Sequence, residues 1–104
     1  MTPTAFFVEA PQISISSVQS SYNEGSSVNI SCATSGTPDP DVQWFRNGLV
    51  KSSGKRNAVL TFSSINRADG GEYTCRASNS AGTDESHVTL VVHCKQNFFL
   101  FSYI

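Results

Sequence analysis

The residues of this chain equipped for chemistry are two histidines, three cysteines, a spaced pair of aspartates and many serines. A catalytic serine needs a base beside it and a sharp turn to present it. No Gly-x-Ser-x-Gly occurs, and His87 falls in a strand-like stretch with nothing to bring it to a nucleophile. Asp39 and Asp41 flank Pro40, yet calcium takes roughly six to eight oxygen ligands and two carboxylates fall short. The Gly70-Gly71 pair reads as a turn and not as a phosphate cradle. Neither His87 nor His93 stands at ligand spacing from Cys32, Cys75 or Cys94, and there is no Cys-x-x-Cys, so the expected metal and cofactor set is none. That leaves cysteine oxidation, sugar attachment at Asn29-Ile30-Ser31 and non-covalent binding as the available chemistry.

The elements that must carry these residues are strands. With 104 residues the chain has the size of one domain. Hydrophobic residues make up 38% and charged residues 14%, below the ~25% usual for soluble domains. A net charge of −1 and a pI near 6.0 give no basic footprint for nucleic acid and no polybasic membrane patch. Alternation of apolar and polar residues with period two predicts strands at 12–17, near 20–23, from 28, around 42–45, at 59–63 and 72–78, and, after a turn at 79–82, a last strand in which Val88, Leu90 and Val92 alternate with Thr89 and Val91. Gly36-Thr37-Pro38-Asp39-Pro40 predicts a break. Asn47-Gly48 predicts a two-residue hairpin leading into an edge strand at 49–52, followed by a loop at 52–55 and a short strand near 56–57. Leu60 and Phe62 point inward, and Ile65 plugs the corner after them.

Cys32 stands twelve residues before Trp44 and Cys75 thirty-one after it. Asp69-Gly70-Gly71-Glu72-Tyr73-Thr74-Cys75 carries an Asp-x-Gly-x-Tyr-x-Cys run, followed by Arg76-Ala77-Ser78-Asn79-Ser80-Ala81-Gly82. These motifs resemble the immunoglobulin superfamily, in particular its intermediate set, over residues 11–93. The resemblance implies an all-β fold: an immunoglobulin-like Greek-key β-sandwich of two antiparallel sheets with a Cys32–Cys75 disulfide between them. It implies that Trp44 packs on that bridge, that the Tyr73 hydroxyl meets backbone at a tyrosine corner, and that Asp69 pairs with Arg56 or Lys55. Leu60 completes the core signature. A fibronectin type III sandwich is disfavoured, because that family lacks the Cys-Trp-Cys pattern.

On such a sandwich Asn29 faces away from Cys32, so a glycan there would project from the sheet of the strands at 12–17, 28–33 and 59–63. The other sheet would present Gln43, Phe45, Thr74, Arg76, Ser78, His87, Thr89 and Val91 outward. Phe45 and Arg76 are of the types enriched at binding hot spots, which makes Gln43, Phe45, Thr74, Arg76 and His87 the candidate binding face. The loops at 38–40 and 79–82 form the alternative contact site, for a ligand or a neighbouring domain.

The ends differ in character. Residues 1–10 read as the end of a preceding domain with an Ala-Pro joint, or as a tail, and show no secretion leader. Residues 94–104 form an aromatic segment without strand alternation, either a real tail or a read-through exon end, too short to cross a bilayer. Cys94 lies at its start, an odd thiol that points to an intermolecular bridge or shares the tail's origin. The chain reads as a fragment. Three cysteines argue for an oxidising compartment, extracellular or at the cell surface. The expected function is non-catalytic: a module of a larger protein binding itself or another cell-surface or matrix protein in adhesion, beside neighbouring immunoglobulin domains. The alternatives are a ligand-binding ectodomain module of a receptor such as a receptor tyrosine kinase, and an intracellular structural domain of muscle-filament type.

Overall fold

Among the described residues, strands with alternating burial build the core of the fold. In the computed structural model residues 7–94 are described. The strands are β1 (Glu9–Ser16), β2 (Tyr22–Asn23), β3 (Val28–Thr37), β4 (Asp41–Arg46), β5 (Leu49–Lys55), β6 (Asn57–Phe62), β7 (Gly71–Asn79), β8 (Gly82–Leu90) and β9 (Val92–His93). One sheet has the order β1-β3-β6 and the other β5-β4-β7-β8, all antiparallel, while β2 and β9 form a small parallel pair. This is the expected sandwich. Cys32 on β3 bridges to Cys75 on β7, joining the sheets.

The core lies between the sheets. Ile30, Cys32, Val42, Trp44, Leu60, Tyr73, Cys75, Ala77 and Leu90, inward by period two, are all at most 3% exposed, as is Ile65 at the corner after β6. Trp44 Nε1 donates to the carbonyl of Ala58 on the facing sheet at 3.0 Å, giving the buried indole its one polar partner. Phe62 is only partly buried and meets Tyr73 edge-on, with ring centroids 6.0 Å apart. Asn47 (φ 51°) and Gly48 (φ 79°) take the two positive φ values that a tight hairpin between β4 and β5 requires.

Three expectations fail in instructive ways. β3 does not break at Gly36 but runs to Thr37, because Gly36 (φ 140°) sits where a Cβ would press on Pro40, Pro11 and the Glu9 carbonyl. That close approach lets Glu9 pair with Thr37, so β1 begins earlier than its alternation shows, with a bulge before Gln12. The loop at 52–55 and the short strand near 56–57 are replaced by one long edge strand, β5, and a single left-handed residue, Arg56 (φ 65°). Arg56 is fixed by its backbone: its N–H donates to the Pro40 carbonyl and its own carbonyl accepts from Thr34 N and Oγ1. The residues before position 7 and the aromatic tail from 95 onward lie outside the described residues.

Candidate binding face

The register of the four-stranded sheet places its outward residues in transverse rows. Phe45 on β4 opposes Val50 on β5 and Thr74 on β7, and Thr74 opposes His87 on β8. The next row is Ser53, Gln43, Arg76 and Glu85. The sheet therefore brings Gln43, Phe45, Thr74, Arg76 and His87 onto one surface. Phe45 and Gln43 are half-buried, Arg76 and His87 exposed. Thr74 Oγ1 and His87 Nδ1 lie 2.8 Å apart, which fixes the imidazole beside Phe45's row. Arg76 Nε stands 3.8 Å from Glu85 Oε2, an exposed pair loose enough to exchange for a partner's carboxylate.

Reading the sequence missed two contributors to this surface. Val50 is 50% exposed and extends the apolar row beyond Phe45; its place follows from the Asn47-Gly48 hairpin, which sets Phe45 against Val50. Glu85 partners Arg76 only because the β7–β8 register makes it do so. Leu49, 65% exposed, sits at the rim of the same edge strand.

The corner below the face differs from expectation. Asp69 does not pair with Arg56 or Lys55, which sit at the other end of β4 in exposed ion pairs with Asp39 (2.7 Å) and Asp41 (2.8 Å). Asp69 instead caps the one-turn 3₁₀ helix Arg67–Asp69. Its carboxylate accepts from Asn66 N, and the Asn66 side chain accepts from Ala68 N. The basic residue at the corner is Arg46, which the sequence did not single out. Its guanidinium donates to the carbonyls of Ala68 and Gly70 and to the Tyr73 hydroxyl (2.9 Å), and lies over the Tyr73 ring. The Tyr73 hydroxyl in turn donates to the Asp69 carbonyl at 2.7 Å, the tyrosine corner expected.

Burial pushes the Tyr73 phenol above its ordinary value of 10.0, against the pull of the Arg46 guanidinium toward phenolate. Folding therefore favours the neutral ring. Its contribution is complete below about pH 10 and is lost as pH rises through the folded value. The melting temperature should fall as pH rises above about 10, and Tyr73→Phe should flatten that fall. A fall of unchanged steepness in the variant would rule out Tyr73 as its source. Asp41 also raises the Lys55 ammonium above 10.5, with the same sign, but this pair is exposed.

The opposite end of the sandwich is tied by Asn79. Its Nδ2 donates to the carbonyls of Glu9 and Pro38 (2.8 and 2.9 Å), and its Oδ1 accepts from Ala81 and Gly82 N–H. The loops at 38–40 and 79–82 thus meet, as the alternative contact site required. Asp84 closes the sheet edge beside them: its Oδ2 accepts the Ile13 N–H at 2.9 Å across from β8 to β1. Asp39 and Asp41 are occupied by their cations. Among the described residues no three or more His, Cys, Asp and Glu side chains converge as a metal site. No helix among them is long and apolar enough to cross a membrane.

Two antiparallel sheets bridged between β3 and β7, with a tryptophan bonded across the core and a tyrosine corner, define an immunoglobulin-type sandwich. Residues 10–79 match the immunoglobulin domain family profile, and the chain belongs to that family. It is 38% identical to mouse (Mus musculus) hemicentin-2 over 87 residues, covering 79% of this chain and 2% of that protein. It is 42% identical to Drosophila melanogaster contactin over 82 residues, covering 74% of this chain and 6% of that protein. The chain thus spans only a few hundredths of the length of these curated relatives. Among solved structures, a chimeric titin Z1Z2 carrying an exogenous decorin peptide aligns with a TM-score of 0.73 and 28% identity, covering 86% of this chain and all of that one. Tandem titin Ig domains align at 0.69 and 30%, covering 85% of this chain and 49% of theirs.

Proposed function

We propose that this domain is a non-catalytic protein-binding module of a larger extracellular or cell-surface protein, acting in adhesion through homophilic or heterophilic contact. The observation that carries this reading is the continuous row Val50–Phe45–Thr74–His87, with Arg76 in the adjacent row, on the open face of a rigid four-stranded sheet. An apolar centre with a guanidinium at its margin matches the composition of interface hot spots. Support also comes from relatives that are adhesion and matrix proteins, among them contactin and the basement membrane-specific heparan sulfate proteoglycan core protein. A second reading, an intracellular structural domain, draws on the titin neighbours. The Cys32–Cys75 bridge favours the first, because cytosolic thiols are kept reduced.

The test is adhesion of beads coated with the chain, to one another and to cells. Phe45→Ser combined with Arg76→Glu should weaken attachment about tenfold or more, the effect of losing one hot-spot residue. Val59→Ser, on the outer side of the other sheet, should leave it unchanged. Equal attachment by both variants, or none by the wild type, would overturn the reading.

A further inference from the structure

Beside Asn29 the surface opens into a polar groove of about 410 Å³. Its walls are Ser17, Gln19 and Ser21 from the crossover between β1 and β2, Asn23 at the end of β2, and Ser26 and Ser27 from the turn before β3. These walls are held from within. Tyr22, 5% exposed, donates its hydroxyl to the Ser17 carbonyl and accepts from Gln19 N–H, which pins Ser17 in its left-handed conformation (φ 72°). Ser26 N–H closes the turn onto the Asn23 carbonyl at 3.1 Å. Asn29 lies in this wall, exposed, on the middle strand of its sheet and two residues before Ser31.

We propose that Asn29 carries an N-linked glycan whose first N-acetylhexosamine seats in this groove. In the transfer, Nδ2 of Asn29 forms a bond to the anomeric carbon of a lipid-linked diphospho-oligosaccharide. The sugar's C–O bond to the diphosphate breaks, the amide gives up one proton, and the diphospho-lipid leaves. In the folded domain the Ser31 hydroxyl donates to Asn57 Oδ1 at 2.6 Å, and β3 is paired on both sides. The Asn-x-Ser segment is extended and free only before folding, so transfer takes place on the emerging chain. Once the sheets close, the first sugar meets the side-chain hydroxyls and amides that line the groove. A seated glycan ties the β1–β2 crossover to β3 and covers the outer face of β1-β3-β6. Contact is then directed to the opposite sheet.

This inference rests on the extracellular reading. The full chain would be secreted from animal cells behind a cleavable leader. It would be compared with the same chain refolded from a bacterial host, and with Asn29→Gln as a check on occupancy. The secreted chain should lose the mass of one N-glycan on treatment with a peptide-N-glycosidase, and the Asn29→Gln variant none. Trimmed to a single sugar, it should melt roughly 4 °C or more above the bacterial form, a shift well resolved for a domain of this size. Ser27→Leu, which fills the groove, should keep the glycan and erase that difference. A secreted, oxidised chain with no glycan overturns the site. An occupied chain whose trimmed form melts with the bacterial one overturns the seating. Free thiols at Cys32 and Cys75 in the parent protein would count against the extracellular reading instead, whatever the state of Asn29 in this test.

Discussion

Cys75→Ala is expected to lower the unfolding free energy by about 4 kcal/mol. The bridge closes a loop of 43 residues, and the chain-entropy relation gives a cost of that order for releasing it from the unfolded ensemble. Domains of this size have ~5–15 kcal/mol in all, so the loss removes from about a quarter to about four fifths of the stability. The bridge also joins the middle strand of one sheet to a middle strand of the other, and both sulfurs are fully buried in the core. Urea denaturation of the oxidised wild type, the reduced wild type and the variant would measure the effect. Reduction and Cys75→Ala should shift the midpoint alike. An unfolding free energy within about 0.5 kcal/mol of the oxidised protein's would show the bridge to be dispensable.

Trp44→Ala is expected to cost about 3–5 kcal/mol, the range for deleting a large aromatic from a packed core. The side chain is completely buried and opposes Cys75 in the β4–β7 register, so the neighbours have little freedom to collapse into the space. Part of the cost is polar. The Ala58 carbonyl accepts the indole N–H at 3.0 Å, and losing that bond costs about 0.5–1.5 kcal/mol. Trp44→Phe separates the two contributions, since it keeps most of the apolar volume and loses the donor. It should fall clearly between wild type and alanine. If phenylalanine restored full stability, the bond to Ala58 would carry no net weight. Trp44 and Cys75 are register partners in one core, so the double variant should cost less than the sum of the singles.

Much of this fold was open to a reading of residues alone. Val28, Ile30 and Cys32 on β3, Val42 and Trp44 on β4, and Tyr73, Cys75 and Ala77 on β7 alternate with outward residues, and each is buried as that period requires. Asn47-Gly48 announced its turn because few other pairs accept two positive φ values. The grouping of Gln43, Phe45, Thr74, Arg76 and His87 followed from the same parity once the sheet order was known.

What sequence did not disclose are bonds between residues far apart along the chain. Arg46 looked like an ordinary polar residue at a strand end, yet its guanidinium reaches two carbonyls and the Tyr73 hydroxyl across the corner, displacing the Asp69 pairing expected with Arg56 or Lys55. Asn79, Asp84 and Arg56 are similar: each satisfies backbone groups on a distant segment, and nothing in their neighbours foretells which. The extension of β3 through Gly36 came from packing against Pro11 and Pro40, which no local propensity records. By itself the sequence determined the strands, their buried faces and the turn at Asn47-Gly48, because period-two alternation and left-handed turn residues are local properties of the chain. Only the tertiary structure decided the register of the rows on the binding face, the corner centred on Arg46 and the groove beside Asn29. Each of those depends on where a polar group finds its partner after the sheets have closed.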